Sequence, residues 1–298
     1  MGVLNGRRRR APLTTGLAAA ALIVGGLTVA PAQAAAPPKV SFVAVGDSYT
    51  AGTGAGAADN PLTGPCWQSH PGYVDMVGAT GRVSLAANGA CHGALLTGGL
   101  ATSVQDQITG LALGGKLNGS TGLVSITAGA NDAGVYAVLS VCANPNYPAA
   151  SCKAAIDLSA AALPAIGQGL AATYLGLKTV APKAQVAVLG YPRLFAPASG
   201  AAVIPPANQA LVNQATDNLN ATIAGAVAAA NVLGANAQYI DVTARFAGHE
   251  ANTADSWLVL DLAHPTADYN FHPNATGYSQ GYAAALMGAA KPAQLLRK

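Results

Sequence analysis

Short apolar runs alternate with longer amphipathic stretches along most of this 298-residue chain. Several runs are nearly continuous in Val, Ile, Leu and Ala, as strands covered on both faces are. They predict five strands, at residues 39–45, 82–87, 122–128, 184–189 and 238–242. Between them, apolar residues recur at helical spacing, most clearly over 156–177 and 211–227. This alternation predicts one α/β domain with a parallel sheet and helices on both faces.

The first 34 residues have the composition of a signal peptide. Four arginines at 7–10 precede an apolar stretch at 16–30, which is short for a bilayer span. Residues 32–34 (Ala-Gln-Ala) supply a small-x-small cleavage signal, and the alanines at 34–36 supply another. We therefore expect residues 35–298 to be secreted as a single domain without an integral membrane span, through the Sec or the twin-arginine route. A retained anchor is the alternative.

Removal of this segment changes the charge balance. The chain has 15 Lys and Arg against 12 Asp and Glu, and four of the arginines lie in the segment. The remainder is therefore close to neutral, so a nucleic-acid partner has no electrostatic support. We expect a monomer.

Export also permits disulfides between the four cysteines. These are Cys66, Cys91, Cys142 and Cys152. None forms a Cys-x-x-Cys pair, so we expect no zinc site. Three pairings are possible, and we favour Cys66–Cys91 with Cys142–Cys152 because the second closes the turn-rich segment 143–151.

Ser48 directly follows the first predicted strand, in the sequence VAVGDSYTAG. A serine there is often a helix N-cap, and the other interpretation is a nucleophile. The glycines at 52–57 lie too far from the strand for a dinucleotide fingerprint, and the second strand does not end in an acid. A nucleophile elbow would need Gly where Thr50 stands. The chymotrypsin-like order fails as well, because every histidine follows Ser48.

Four sequence blocks resemble those of the SGNH (GDSL) hydrolases, especially the secreted actinomycete lipases and esterases of that family. They are GDSYTAG, ACHGA, GAND and HPNATGY, in that order, and GYPRLF and FAGHE add weaker support. The resemblance covers the chain from about residue 40 to the last helix. It implies a flavodoxin-like, three-layer α/β/α fold with a five-stranded parallel sheet, and ester hydrolysis without a cofactor or metal.

The resemblance also implies a role for one residue of each block. Ser48 resembles the nucleophile, and its own N–H resembles one donor of the oxyanion hole. The backbone N–H of Gly93 and the side-chain amide of Asn131 resemble the other two donors. His272 resembles the general base, which a serine hydroxyl needs in order to become nucleophilic. Glycine or asparagine in a loop can also serve only the turn, but these residues follow strands at one sheet edge.

His264 is the rival of His272 for the role of base. Asp261 precedes it at the Asp-x-x-His spacing by which the family orients its histidine. Three residues before His272 stands Tyr269 instead, with Asp268 one residue further back. The Tyr269 carbonyl or the Asp268 carboxylate would then have to orient the imidazole.

We favour His272 because of the residues that follow it. Asn274 and Thr276 can start the last helix, which would hold the imidazole at a helix entrance. His264 is then a loop histidine.

The remaining histidines receive less specific interpretations. His70 lies in a predicted turn, and His249 is expected to make a structural hydrogen bond. His92 precedes Gly93, where relatives often carry a small residue, and either lines the pocket or faces solvent. No His-x-x-x-His pair or acidic cluster indicates a metal site.

Asn252 marks a departure from the family. Many secreted relatives carry a cysteine of a third disulfide at this point, and its partner is also missing here. We therefore expect residues 248–270 to be more loosely held.

Together these features predict a secreted serine ester hydrolase of the lipase/esterase type. Its substrate would be a small-molecule or lipid ester, with short to medium acyl chains as the central expectation. Phospholipase A activity, carbohydrate acetylesterase activity and a non-catalytic glycan- or lipid-binding domain are the alternatives.

Overall fold

A computed structural model of the chain describes residues 38–56, 66–144, 146–199, 201 and 204–296. The predicted signal peptide lies outside the described residues. Within them, five strands form one parallel sheet in the order β2-β1-β3-β4-β5. The strands are β1 (Val40–Gly46), β2 (Val83–Asn88), β3 (Leu123–Thr127), β4 (Gln185–Leu189) and β5 (Ala237–Ile240). Each overlaps one predicted strand, and the order is that of flavodoxin-like sheets.

Helices connect and cover these strands. They are α1 (Ser48–Ala51), α2 (Tyr73–Ala79), α3 (Val104–Leu113), α4 (Val135–Cys142), α5 (Ala149–Val180), α6 (Pro206–Val232), α7 (Thr243–Phe246), α8 (Ala284–Ala290) and α9 (Pro292–Leu295). A π-helical segment, Gly277–Ala283, leads into α8. Helices α4, α5 and α6 pack together, whereas α2 and α8 contact the π-helical segment and the sheet. The predicted α/β/α architecture is confirmed.

Burial explains the apolar runs of the central strands. Every residue of β3 is buried, as are nearly all of β1, because helices cover both faces of the sheet. The edge strand β2 is more exposed and correspondingly mixed in sequence. By length and composition alone, Ala150–Val180 could cross a membrane. Its buried side chains Leu170, Tyr174 and Leu177 nevertheless belong to the core beneath the sheet.

Two disulfides fix loops beside the sheet. Cys66 is joined to Cys91, and Cys142 is joined to Cys152, which is the pairing that the sequence favoured. The second disulfide connects the end of α4 to the first turn of α5.

Hydrogen bonds hold the chain at Asn252, where the sequence departs from the pattern of the family that it resembles. Asn252 is buried, and its side-chain oxygen accepts from the Ala196 N–H at 2.8 Å. Its side-chain nitrogen donates to the Ala201 carbonyl at 2.9 Å and to Gln209 Oε1 at 3.1 Å. The amide thus fastens the segment that follows α7 to α6 and to the loop before it, although we had expected this segment to be loosely held.

Candidate active site

The predicted site residues converge at the carboxyl edge of the sheet. Ser48 follows β1, Gly93 lies beyond β2 and Asn131 lies beyond β3. All three line one pocket of about 640 Å³, and His272 lines it with them. Neighbouring parallel strands end at the same edge, so residues distant in sequence meet there.

Asp47, and not Ser48, caps the short helix α1. The Asp47 carboxylate accepts a hydrogen bond from the Tyr49 N–H at 3.1 Å, which leaves the Ser48 hydroxyl free for other contacts. That hydroxyl lies 2.7 Å from His272 Nε2. Ser48 is the first helical residue, so its N–H has no partner within the helix and can serve a ligand.

A buried polar network holds the serine turn in place. The Asp47 carboxylate also accepts from the Thr127 hydroxyl at 2.7 Å and from the Tyr191 hydroxyl at 2.5 Å. Burial raises the Asp47 pKa to about 6. The Tyr191 oxygen in turn accepts from the Ala130 N–H at 3.4 Å, next to Asn131. Sequence reasoning missed this network, although the GYPRLF block contains the tyrosine.

His272 is held in the tautomer that a general base requires. Its Nδ1–H donates to the backbone carbonyl of Asn270 at 3.0 Å, so Nε2 is left to accept the Ser48 proton. Burial and, to a smaller extent, the neighbouring His92 lower the His272 pKa to about 3. The imidazole is therefore neutral near pH 7 and able to accept a proton.

The acceptor of the Nδ1–H differs from the two groups that the sequence suggested. The Tyr269 carbonyl accepts the backbone N–H of His272 at 3.3 Å, and the carbonyl of Asn270, two residues before the histidine, accepts the ring hydrogen at 3.0 Å. The backbone of Asp268 and Tyr269 also raises the pKa of the ring, but less than Asn270 does. Phe271 between them has a φ of +63°, and this turn brings the Asn270 carbonyl to the ring. The Asp268 carboxylate lines the pocket without orienting the ring.

The Asp261–His264 pair exists, but it belongs to the loop. His264 Nδ1 lies 2.9 Å from the Asp261 carboxylate, and the His264 side chain is 71% exposed. The Asn270 side chain accepts from the Asp261 N–H at 2.6 Å and donates to the His264 carbonyl at 2.8 Å. The structure therefore brings His272 to Ser48, and the loop supports Asn270.

The context predicted for His272 is also present. Asn274 accepts a hydrogen bond from the Gly277 N–H at 3.0 Å at the start of the last helical stretch. Its amide nitrogen donates to the Ser256 carbonyl at 2.8 Å, which fixes the chain just beyond the imidazole.

Gly93 and Asn131 line the pocket together with Ser48. Gly93 has a φ of +73°, a conformation that favours glycine. Asn131 Nδ2 donates one hydrogen to the Ala94 carbonyl at 2.9 Å, and its second hydrogen remains for a ligand. With the Ser48 N–H, these are the groups to which the family resemblance assigns the oxyanion, and their residues line the same pocket.

The rest of the pocket wall is largely apolar. Val135 and Leu139 come from α4, Leu219 comes from α6, and Leu194 and Phe271 come from loops. Such a wall stabilises an apolar ligand by removing its surface from water.

The three other histidines occupy different environments. His92 lines the pocket and stacks on Trp67, with ring centroids 3.8 Å apart. His70 pairs with Asp75 at the surface. His249 Nδ1–H donates to the backbone carbonyl of Asp255 at 2.8 Å, consistent with the structural hydrogen bond expected for it.

Comparison with known proteins shows what the chain resembles. The model of the GDSL-like Lipase/Acylhydrolase family matches residues 44–280. Lipase 1 of Streptomyces coelicolor is 33% identical over 275 residues, which is 92% of this chain and 95% of that protein. The solved extracellular lipase of Streptomyces rimosus and phospholipase A1 of Streptomyces albidoflavus are each 31% identical, with a TM-score of 0.69. Each comparison covers 84% of this chain and 99% of the other.

Proposed function

The chain belongs to the GDSL-like lipase/acylhydrolase family, as its sequence blocks predicted, and is a carboxylic ester hydrolase. We propose that it works through an acyl-enzyme on Ser48, with His272 as the general base. The proposal rests on the distance of 2.7 Å between Ser48 Oγ and His272 Nε2. The Asn270 carbonyl fixes the tautomer that this contact needs.

The proposed reaction has two steps. In the first, His272 Nε2 takes the Ser48 proton while Oγ attacks the ester carbonyl, and the proton then passes to the departing alcohol. The negative charge on the carbonyl oxygen is stabilised by the N–H groups of Ser48 and Gly93 and by the Asn131 amide. In the second step, His272 activates water, which releases the acid and restores Ser48.

The acyl chain is proposed to occupy the apolar part of the pocket. Val135, Leu139 and Leu219 would bury its methylene groups, each worth about 0.8 kcal/mol at full burial. A volume of about 640 Å³ is within the usual range for pockets that enclose a small ligand. Medium-length acyl esters therefore fit this pocket better than acetyl esters.

Phospholipid acyl esters are the second candidate substrates. Phospholipase A1 of Streptomyces albidoflavus is among the similar solved structures. The apolar wall of the pocket would accept the fatty acyl chain of a phospholipid as well as that of a simpler acyl ester.

We also propose that the protein is secreted after removal of residues 1–34. The arginine-rich start, the apolar stretch and the small-residue cleavage signal support this. The two disulfides are consistent with an oxidising compartment, and the similar Streptomyces rimosus lipase is extracellular.

The decisive test uses the protein comprising residues 35–298 and a fluorophosphonate probe. We expect covalent labelling of the wild type and none of Ser48→Ala.

The rate of hydrolysis of p-nitrophenyl esters should rise with acyl length, by up to about fourfold per methylene, until the pocket is filled. A folded wild type that neither labels nor hydrolyses any ester would contradict the mechanism and support a binding domain. Activity confined to acetyl esters would contradict the medium-chain assignment.

A pocket variant with a matched control tests the acyl site. Leu139→Trp should reduce the free volume and shift the preferred acyl chain to a shorter length. Leu113 lies on the surface of α3 and is 86% exposed, so Leu113→Trp should leave the chain-length profile unchanged. If both variants had the same chain-length profile, the acyl chain would not bind in this part of the pocket.

A further inference from the structure

His92 is a pocket residue that the proposed reaction does not use. We infer that it donates a hydrogen bond to an oxygen on the alcohol portion of the ester, and so determines which esters are hydrolysed fastest. This inference rests on the proposed ester hydrolysis at Ser48.

The imidazole of His92 is held by contacts of several kinds. The disulfide Cys66–Cys91 joins the residues that directly precede Trp67 and His92. The His92 N–H donates to the Trp67 carbonyl at 3.3 Å, and the two rings stack at an interplanar angle of 23°. Because the backbone and the ring are both fixed, a hydrogen bond from this imidazole costs little conformational entropy.

A buried threonine determines which ring nitrogen of His92 carries the hydrogen. Thr53 is fully buried, and its hydroxyl lies 3.0 Å from His92 Nδ1. Among the described residues, this nitrogen is the acceptor within reach of that hydroxyl, and a buried hydroxyl without an acceptor is costly. The hydroxyl therefore donates to Nδ1, and the hydrogen of the neutral ring is on Nε2. Burial lowers the His92 pKa to about 4, so the ring is neutral at pH 7.

The position of His92 places this donor on the side of the departing alcohol. When the tetrahedral intermediate collapses, His272 gives its proton to the leaving oxygen, so the alcohol must lie beside His272. The ring centroids of His92 and His272 are 5.7 Å apart. The apolar side chains of α4 and α6, in contrast, form the acyl part of the pocket.

A donor at this distance suits an oxygen a few bonds beyond the ester oxygen. Esters of polyols such as glycerol carry hydroxyl or further ester oxygens there, whereas esters of simple alkanols carry none. The chemical class selected by His92 is therefore the polyol ester.

The test compares 2,3-dihydroxypropyl hexanoate with propyl hexanoate, which share the acyl group and the ester bond. For the wild type, we expect a higher kcat/KM with the dihydroxypropyl ester. His92→Phe keeps a ring on Trp67 but has no donor, and should lower the ratio of the two kcat/KM values by about five- to tenfold. His92→Gln supplies a side-chain N–H and should recover part of the ratio. His70→Phe, at an exposed surface histidine, should leave both values unchanged.

The outcomes separate this inference from the proposed function. Equal kcat/KM values for the two esters in the wild type would overturn the inference, as would an unchanged ratio in His92→Phe. A general fall in rate without a change of ratio would also overturn it and show a purely structural role. A wild type inactive on p-nitrophenyl hexanoate and unlabelled by fluorophosphonate would instead contradict the proposed function itself.

Discussion

The Nδ1–H of His272 donates to the main-chain carbonyl of Asn270 at 3.0 Å, so a peptide oxygen, and not a carboxylate, orients the imidazole next to Ser48. A carbonyl can only accept, and it therefore fixes the tautomer as a carboxylate would. It carries no full charge, however, and adds less to the stability of the imidazolium that forms during the reaction.

The first prediction separates the two candidate histidines. His272→Ala should lower kcat for p-nitrophenyl hexanoate by about four orders of magnitude or more, because the serine loses its base. His264→Ala removes an exposed side chain and should change kcat by less than about threefold. Initial rates of hydrolysis by both purified variants test this prediction. A severe loss of activity in His264→Ala alone would show that His264, paired with Asp261, is the general base.

The second prediction concerns the oxyanion donors. Asn131→Ala removes one donor and should lower kcat by about 10²–10³-fold with little change in KM, because the charge develops only in the transition state. Asn146→Ala, at an exposed turn residue, provides the matched control. If Asn131→Ala raised KM and left kcat intact, the amide would bind ground-state substrate instead of the oxyanion.

The third prediction is a pH profile. His272 acts as a base only when neutral, and burial lowers its pKa to about 3. Protonation of this base should therefore abolish hydrolysis only as the pH approaches about 3. Asp47, with a pKa of about 6, titrates earlier, but its protonation leaves His272 neutral and able to accept the Ser48 proton. An unperturbed histidine, with a pKa of about 6.5, would already be half inactive at pH 6.5. Rates measured with circular dichroism at each pH distinguish titration from unfolding, and a midpoint near 6.5 in the folded protein would refute the prediction.

The fourth prediction concerns Asn252. Asn252→Ala leaves buried partners in the loop at 196–201 and on α6 without their hydrogen bonds, and should reduce the free energy of unfolding by about 2 kcal/mol. For a domain of this size, that corresponds to a Tm lower by roughly 4–8 °C. Asn218→Ala, at an exposed position on α6, should leave the Tm nearly unchanged. Equal melting temperatures for the two variants would show that the amide does not fasten this segment.

Sequence reasoning was most successful where one local property was sufficient. The central strands were predicted because a strand buried on both faces must be apolar throughout, and β3 is buried at every residue. The alternation of strands and helices then required a parallel sheet, whose carboxyl edge collects the residues that follow its strands. The family resemblance singled out Ser48, Gly93 and Asn131, and this topology placed them together before any contact was known.

The same reasoning could not identify groups that carry no side-chain signature. The acceptor for His272 is a peptide oxygen, which every residue possesses, so only the turn at Phe271 selects Asn270. The Asp-x-x-His spacing of Asp261 and His264 was correctly read as a local pair, but spacing does not reveal that the pair is exposed.

The chain by itself therefore determined the layers of the fold and the order of the site blocks, and it favoured His272 over His264, because periodicity and motif spacing can be read along the chain. Only the tertiary structure decided how the site is supported. The hydroxyl of Tyr191 reaches the carboxylate of Asp47 across 144 positions of sequence, and Trp67 stacks on His92 beside the disulfide that joins Cys66 to Cys91. Such contacts depend on how the sheet and its loops pack in space, and no local pattern in the sequence encodes that distance.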